Sequence, residues 1–131
     1  MPITADDLLE LAENILTANS AKEANYRNSA GRSYYAIFHY CRRLAESKNL
    51  KDIVVDSKLG SHEKIIMKLK LSGDTNFISL GNLMMKGKER RKYADYKIWL
   101  EYKKVYAEEL LELGKQVKTI SDKITANPSP L

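Results

Sequence analysis

The chain has 131 residues, 44% of them hydrophobic and 30% charged, which is enough for one domain around one core and ordinary for a globular protein. No apolar run approaches the ~18 residues that a membrane span needs, and the single cysteine, Cys41, excludes an internal disulfide and, beside two histidines, a Cys/His metal cluster. Twenty-two Lys or Arg against 17 Asp or Glu leave a charge of +5, a mildly basic balance that is compatible with nucleic-acid contact without establishing it.

The start of the chain, MPITADDLLEL, is acidic and amphipathic and does not read as a secretory signal. With the lone thiol it points to a reducing cytoplasm. Thr4 is expected to cap a first helix, with Asp6 and Asp7 at its positive dipole end. Leu8, Leu11, Ala12, Ile15 and Leu16 repeat at helical spacing, and the polar stretch Thr17 to Ser20 ends it. A second helix is expected from about Ala21 to Ser47. Stepping about 100° per residue from Ala30 puts Tyr34, Ile37, Phe38, Cys41, Leu44 and Ala45 within about 60° of one line, a core stripe. Asn28, Arg32, Tyr35, His39 and Arg43 gather roughly 140° to 220° round. An amide, two guanidinium groups, a phenol and an imidazole stand there instead of the usual Lys and Glu of a solvated face. Gly31 lies inside this helix at a cost of about 1 kcal/mol relative to Ala; it either admits a close backbone or is simply tolerated.

Asn49 to Gly60 breaks the pattern and reads as a loop packed by its own apolar residues, since Ile53-Val54-Val55 has no partner strand. Ser61 is expected to cap a third helix, about His62 to Leu71, with Ile65, Ile66 and Leu69 inward. After the turn Ser72-Gly73-Asp74, Asp74 can cap a fourth, with Phe77, Ile78, Leu80, Leu83 and Met84 in the core and Gly87 near its end. Lys86 to Lys104 is basic: eight Lys or Arg against three acids, a surplus equal to that of the whole chain. A last helix is expected from about Tyr96 to Thr125, with a narrow seam of Tyr106, Leu110, Leu113, Val117, Ile120 and Ile124 that suits bundle packing. Asn127 to Leu131 is a tail with nothing to bury. The fold class is therefore all-α, an up-and-down bundle of four to five helices in a single domain over residues 1–126.

Three blocks of this sequence, RSYYAIFHYCRRL in the second helix, Gly60-Ser61-His62 and Arg91-Lys-Tyr-Ala-Asp-Tyr96, resemble the HEPN domain family in order and spacing, over about Leu8 to Ile124. The pair YYAxFH plus RxxADY carries the resemblance. It implies a dimerising all-α bundle, roles in prokaryotic toxin–antitoxin and antiviral defence modules, and a separate nucleotidyltransferase as a frequent partner. Active members of the family are metal-independent RNA endonucleases, so the resemblance implies no metal and no cofactor. Their signature is an arginine followed, after four to six residues, by a histidine, and Arg32 to His39 meets that spacing. In well-marked nucleases the signature tends to lie near the start of the last helix. Here Arg90 and Arg91 are followed by Asp95 and Tyr96, with no histidine; either the pair has another location or the nuclease chemistry is absent.

RNA cleavage without a metal needs a base, charge stabilisation at phosphorus and an acid. A histidine serves in proton transfer, and an arginine holds phosphate in two-pronged contact. One histidine per chain is thin for both acid and base, so a two-fold dimer pairing the second helix with its mate is expected to build a composite site. In it Arg32 sits on phosphate, His39 transfers protons, and Asn28, Tyr35 and Arg43 contact substrate. The plainer expectation is that Tyr35 and His39 simply cover a dimer interface or a neighbouring helix. Arg91 and Asp95, four apart, are expected to form an ion pair that fixes the entry of the last helix, or to add, with Tyr96, a second phosphate contact. His62 either binds an anion at a helix start with the backbone N–H groups, or is a local cap, or packs on the second helix. Tyr93, Tyr96, Trp99 and Tyr102, interleaved with the basic run, either grip single-stranded RNA or turn inward. Two other functions stay open: a non-catalytic interaction module for a nucleotidyltransferase or other partner, and a nucleotide-binding domain.

Overall fold

In the computed structural model, which describes residues 2–47 and 50–126, five helices and no strand are present among the described residues. They are α1 (Ala5–Thr17), α2 (Glu23–Ala45), α3 (Ser61–Leu71), α4 (Thr75–Tyr96) and α5 (Lys104–Ala126). The all-α bundle expected from the periodicity is what forms. Its hub is α2, which packs against all four other helices.

Thr4 caps α1 as expected. Its hydroxyl accepts from the Asp7 N–H at 3.1 Å, and the Asp7 carboxylate accepts from the Thr4 N–H at 3.0 Å. The inward face of α1 is set slightly differently from the expected one: Leu9 is buried, Leu11 is exposed and Ile15 is half-buried. The reason is that α1 leans on both α2 and α5, so its buried arc is shifted toward Leu8, Leu9, Ala12 and Leu16. On α2 the core stripe holds Tyr34, Ile37, Cys41, Leu44 and Ala45 fully inside, with Phe38 at its edge. Ser29, also buried, is satisfied by donating to the Ala12 carbonyl at 2.7 Å, which ties α2 to α1.

In the 50–60 loop, Leu50 is buried and Ile53 is packed on the core, while Val54 is 88% exposed; the expected start of this loop at Asn49 lies outside the described residues. Gly60, not Ser61, occupies the N-cap of α3, and it offers no side chain to the free amides; Ser61 is the first helical residue. At the α3–α4 turn Gly73 adopts φ 76°, a left-handed conformation that a residue without Cβ takes cheaply. Asp74 then caps α4 by accepting from the Asn76 and Phe77 N–H groups at 2.9 and 3.2 Å. α3 and α4 approach closely at Gly81, where an added Cβ would lie 3.2 Å from the Ile66 carbonyl oxygen.

Two expectations about the basic segment are corrected. α4 runs on to Tyr96, so Gly87 lies buried near its middle, and α5 begins at Lys104, not Tyr96. Between them residues 97–103 form an irregular connection. No Gly or Pro marks this break; the stop comes from α2. The Arg27 guanidinium donates to the carbonyls of Ala94 at 2.9 Å and of Tyr93 and Lys97 at 3.4 Å, and also to that of Leu100. These include carbonyls that a helix end leaves without intrahelical partners. Glu23, one turn earlier, accepts from the Tyr102 N–H at 2.6 Å. On α5 the seam is as expected: Leu110, Leu113 and Val117 are buried, with Tyr106, Ile120 and Ile124 packed at its margins. The expected tail, residues 127–131, lies outside the described residues.

Candidate functional site

The polar stripe of α2 is open. Asn28, Arg32, Tyr35, His39 and Arg43 are all exposed, although the helix that carries them is packed by four others. Asn28 and Arg32 make no side-chain hydrogen bond or ion pair among the described residues. Arg32 and His39 stand two turns apart on this face, about 10 Å along the axis at helical rise. The His39 ring meets Phe38 edge-on, with centroids 5.2 Å apart. Arg43 donates to the Ser121 hydroxyl of α5 at 3.3 Å. His39 and Arg43, but not Arg32, line a cleft of about 350 Å³ closed on its other side by Ile3, Thr4, Ala5 and Leu8 at the start of α1.

A second cluster lies where α2, α3 and α4 meet, and it takes in three of the expected contact residues. Arg91 and Asp95 do pair, Nε to Oδ2 at 2.7 Å, but they do so in the last turns of α4; they do not set the entry of α5. The Arg91 guanidinium sits 5.2 Å from the Tyr34 ring centre and 5.5 Å from that of Tyr35, within the range of cation–π attraction. Tyr96, the last residue of α4, is exposed.

At the centre of the cluster is His62. Its Nδ1 lies 2.5 Å from the Tyr34 hydroxyl, and its ring stacks on Phe38 with centroids 4.4 Å apart. Packing on α2, one of its expected roles, is present. Burial, then the Arg91 and Lys88 charges, lower the pKa of His62, while burial raises that of Tyr34. Both groups are therefore neutral around pH 7, and one hydrogen bond joins the phenol to Nδ1. Lys88 is itself held by an ion pair to Glu63. The sequence pattern placed Tyr34 in the core correctly. What it missed was that a buried phenol needs a hydrogen-bond partner, and His62 after the Gly60 turn was an available one.

The aromatics of the basic segment divide. Tyr102 is 2% exposed and lies against the Arg27 guanidinium, whereas Ile98 and Trp99 are 72% and 74% exposed. Beside them Tyr93, Tyr102 and Tyr106, with Glu89, Arg90 and Glu109, line another cavity of about 350 Å³. The Tyr102 hydroxyl is buried without a hydrogen-bond partner, a loss of about 1–3 kcal/mol for a group of this kind. Burial pushes its pKa up to about 12, so it remains a phenol. Cys41 is inert for a similar reason: burial lifts its thiol to about 12.

Among the described residues no three His, Cys, Asp or Glu side chains are grouped to hold a metal ion, and no helix is long and apolar enough to cross a membrane. The chain matches no model of a known family, no curated protein and no solved structure.

Proposed function

We propose that the chain is an RNA-binding module of HEPN type that cleaves RNA without a metal across a two-fold dimer. One observation carries the reading: α2 touches every other helix, yet keeps Asn28, Arg32, Tyr35, His39 and Arg43 exposed along one side. A helix so thoroughly packed leaves a guanidinium–imidazole stripe open at little benefit to its own fold. In the proposed dimer His39 of one copy removes the 2′-hydroxyl proton, and that oxygen attacks the neighbouring phosphorus. The 5′-oxygen departs with a proton from the second copy's His39, leaving a 2′,3′-cyclic phosphate. Arg32 and Arg43 hold the charge that builds on the phosphoryl oxygens. Defence or toxin–antitoxin service is the context in which such an activity belongs.

The test is cleavage of total RNA in the presence of a chelator. His39→Ala and Arg32→Ala are each expected to lower the rate about 10²- to 10⁴-fold. Because both side chains are exposed, the thermal midpoint should stay put. Undiminished cleavage by either variant sinks the assignment. The exposure of Ile98 and Trp99 favours a second reading, a non-catalytic module that docks a partner protein such as a nucleotidyltransferase. A native dimer that leaves every RNA substrate intact supports that one.

A further inference from the structure

The connection between α4 and α5 displays side chains that the fold does not use. Lys97 to Leu100 is a tight turn, closed by the Leu100 N–H donating to the Lys97 carbonyl at 3.1 Å. Turns are mostly built from Gly, Pro, Asn, Asp or Ser. Here the two central residues are Ile98 and Trp99, and they stand 72% and 74% exposed. Leu100 beside them is exposed too, and Tyr96 and Val105 add apolar surface at the adjoining ends of the two helices. The turn is moored at both ends. The Arg27 guanidinium donates to the carbonyls of Lys97 and Leu100, and the Glu23 carboxylate accepts from the Tyr102 N–H just beyond. A turn held in this way keeps Ile98 and Trp99 in solvent, where a slack one would let them fold back on the bundle.

The charges around this tip are of one sign. Over residues 97–104 the exposed Lys97, Lys103 and Lys104 stand against Glu101 alone. None of the three lysines forms an ion pair among the described residues, and Asp95, the preceding acid in the chain, is engaged by Arg91. An apolar tip flanked by uncommitted lysines restricts the occupant. Single-stranded RNA would stack on Trp99, but Ile98 and Leu100 offer no flat face to a base. A partner protein, the occupant under the second reading above, commonly takes up a strand edge or a helix face, and residues 97–103 form neither. The surface of an anionic bilayer uses all of these residues. Its interface accepts an indole ring at headgroup level and aliphatic side chains beside it. Lysine stems bury along the same boundary while their ammonium groups reach the anionic headgroups. No described helix is able to cross a membrane, so the contact is peripheral.

We infer that the Lys97–Leu100 turn is a docking tip for an anionic lipid surface, with Ile98, Trp99 and Leu100 entering the interface and Lys97, Lys103 and Lys104 meeting the headgroups. Charge complementarity selects anionic over neutral lipid, and the apolar tip converts attraction into insertion. None of the residues assigned to cleavage takes part, and the binding is read without RNA, so its failure leaves the cleavage reading untouched.

Trp99 is the one tryptophan of the chain, so its fluorescence reports on the tip alone. The experiment titrates the full chain with vesicles of phosphatidylcholine, with and without about one-quarter phosphatidylserine. Serine-containing vesicles are expected to shift the Trp99 emission to the blue, to shield it from iodide, and to bind at least about tenfold more tightly than neutral ones. Raising the salt should weaken that binding. Lys103→Glu with Lys104→Glu should remove the preference for phosphatidylserine. Ile98→Ser should weaken binding at least about threefold while keeping the reporter in place. All three positions are exposed, so the helical circular dichroism of the variants should match that of the native chain. An emission unchanged by either vesicle, or equal binding to both, overturns the proposal. So does a blue shift that appears without lipid as the chain is concentrated, which gives the tip to a second copy. Quenching of Trp99 by oligouridylate with no response to vesicles gives it to RNA and overturns the proposal as well.

Discussion

His62 shows how one side chain takes its character from neighbours far off in sequence. Its imidazole lies between Tyr34 and Phe38 of α2 and faces the charges of Arg91 and Lys88 from α4. Burial and those two cations depress its pKa below the ordinary 6.5. The unfolded chain therefore binds this proton more readily than the folded one. The stabilisation is fully present above pH 6.5 and is lost as pH falls through the depressed folded value. In an NMR titration His62 is expected to titrate below 6.5, and Arg91→Gln to move it back upward. A His62 midpoint at or above 6.5 in the native chain contradicts this account. Both partners were visible in the sequence, Tyr34 as a core residue and His62 at a helix start. Their pairing was not, because it depends on how α3 is laid against α2.

At the scale of elements, the connection after α4 depends on α2. Arg27 spans carbonyls of residues 93–100 and Glu23 holds the Tyr102 amide. Arg27→Ala leaves those carbonyls to water and is expected to cost about 1–3 kcal/mol. The loss should be localised, with amide exchange quickening first over residues 97–103 and trypsin cutting at Lys97 and Lys103. Uniform exchange rates in the variant would show that Arg27 is no latch. The glycines separate by surroundings that composition does not reveal. A Cβ at Gly31 would meet nothing within 4 Å, so Gly31→Ala is expected to stabilise the chain by about 1 kcal/mol. At Gly81 the same methyl would press on the α3 backbone at Ile66, and overpacking of about 1–3 kcal/mol outweighs the helical gain. Urea midpoints should therefore shift up for Gly31→Ala and down for Gly81→Ala; a common direction would count against this contrast.

At the scale of the whole molecule, the proposed chemistry needs a second copy, because each chain brings one histidine to the open α2 face. Sedimentation at micromolar concentration is expected to return about 30 kDa, twice the 15.0 kDa chain. A mass of 15.0 kDa would end the composite site. The sequence by itself determined the all-α class, the caps at Thr4 and Asp74, the two faces of α2 and the seam of α5. Each of these depends on the 3.6-residue period and on local hydrogen bonding, which neighbouring residues specify. Only the tertiary structure decided that α4 stops at Tyr96, that Tyr102 turns inward while Trp99 stays in solvent, and that Tyr34, His62 and Arg91 meet. Those outcomes rest on contacts between helices far apart in the chain. No pattern within a single helix records which distant guanidinium will cap its last carbonyls or which imidazole will receive its buried phenol.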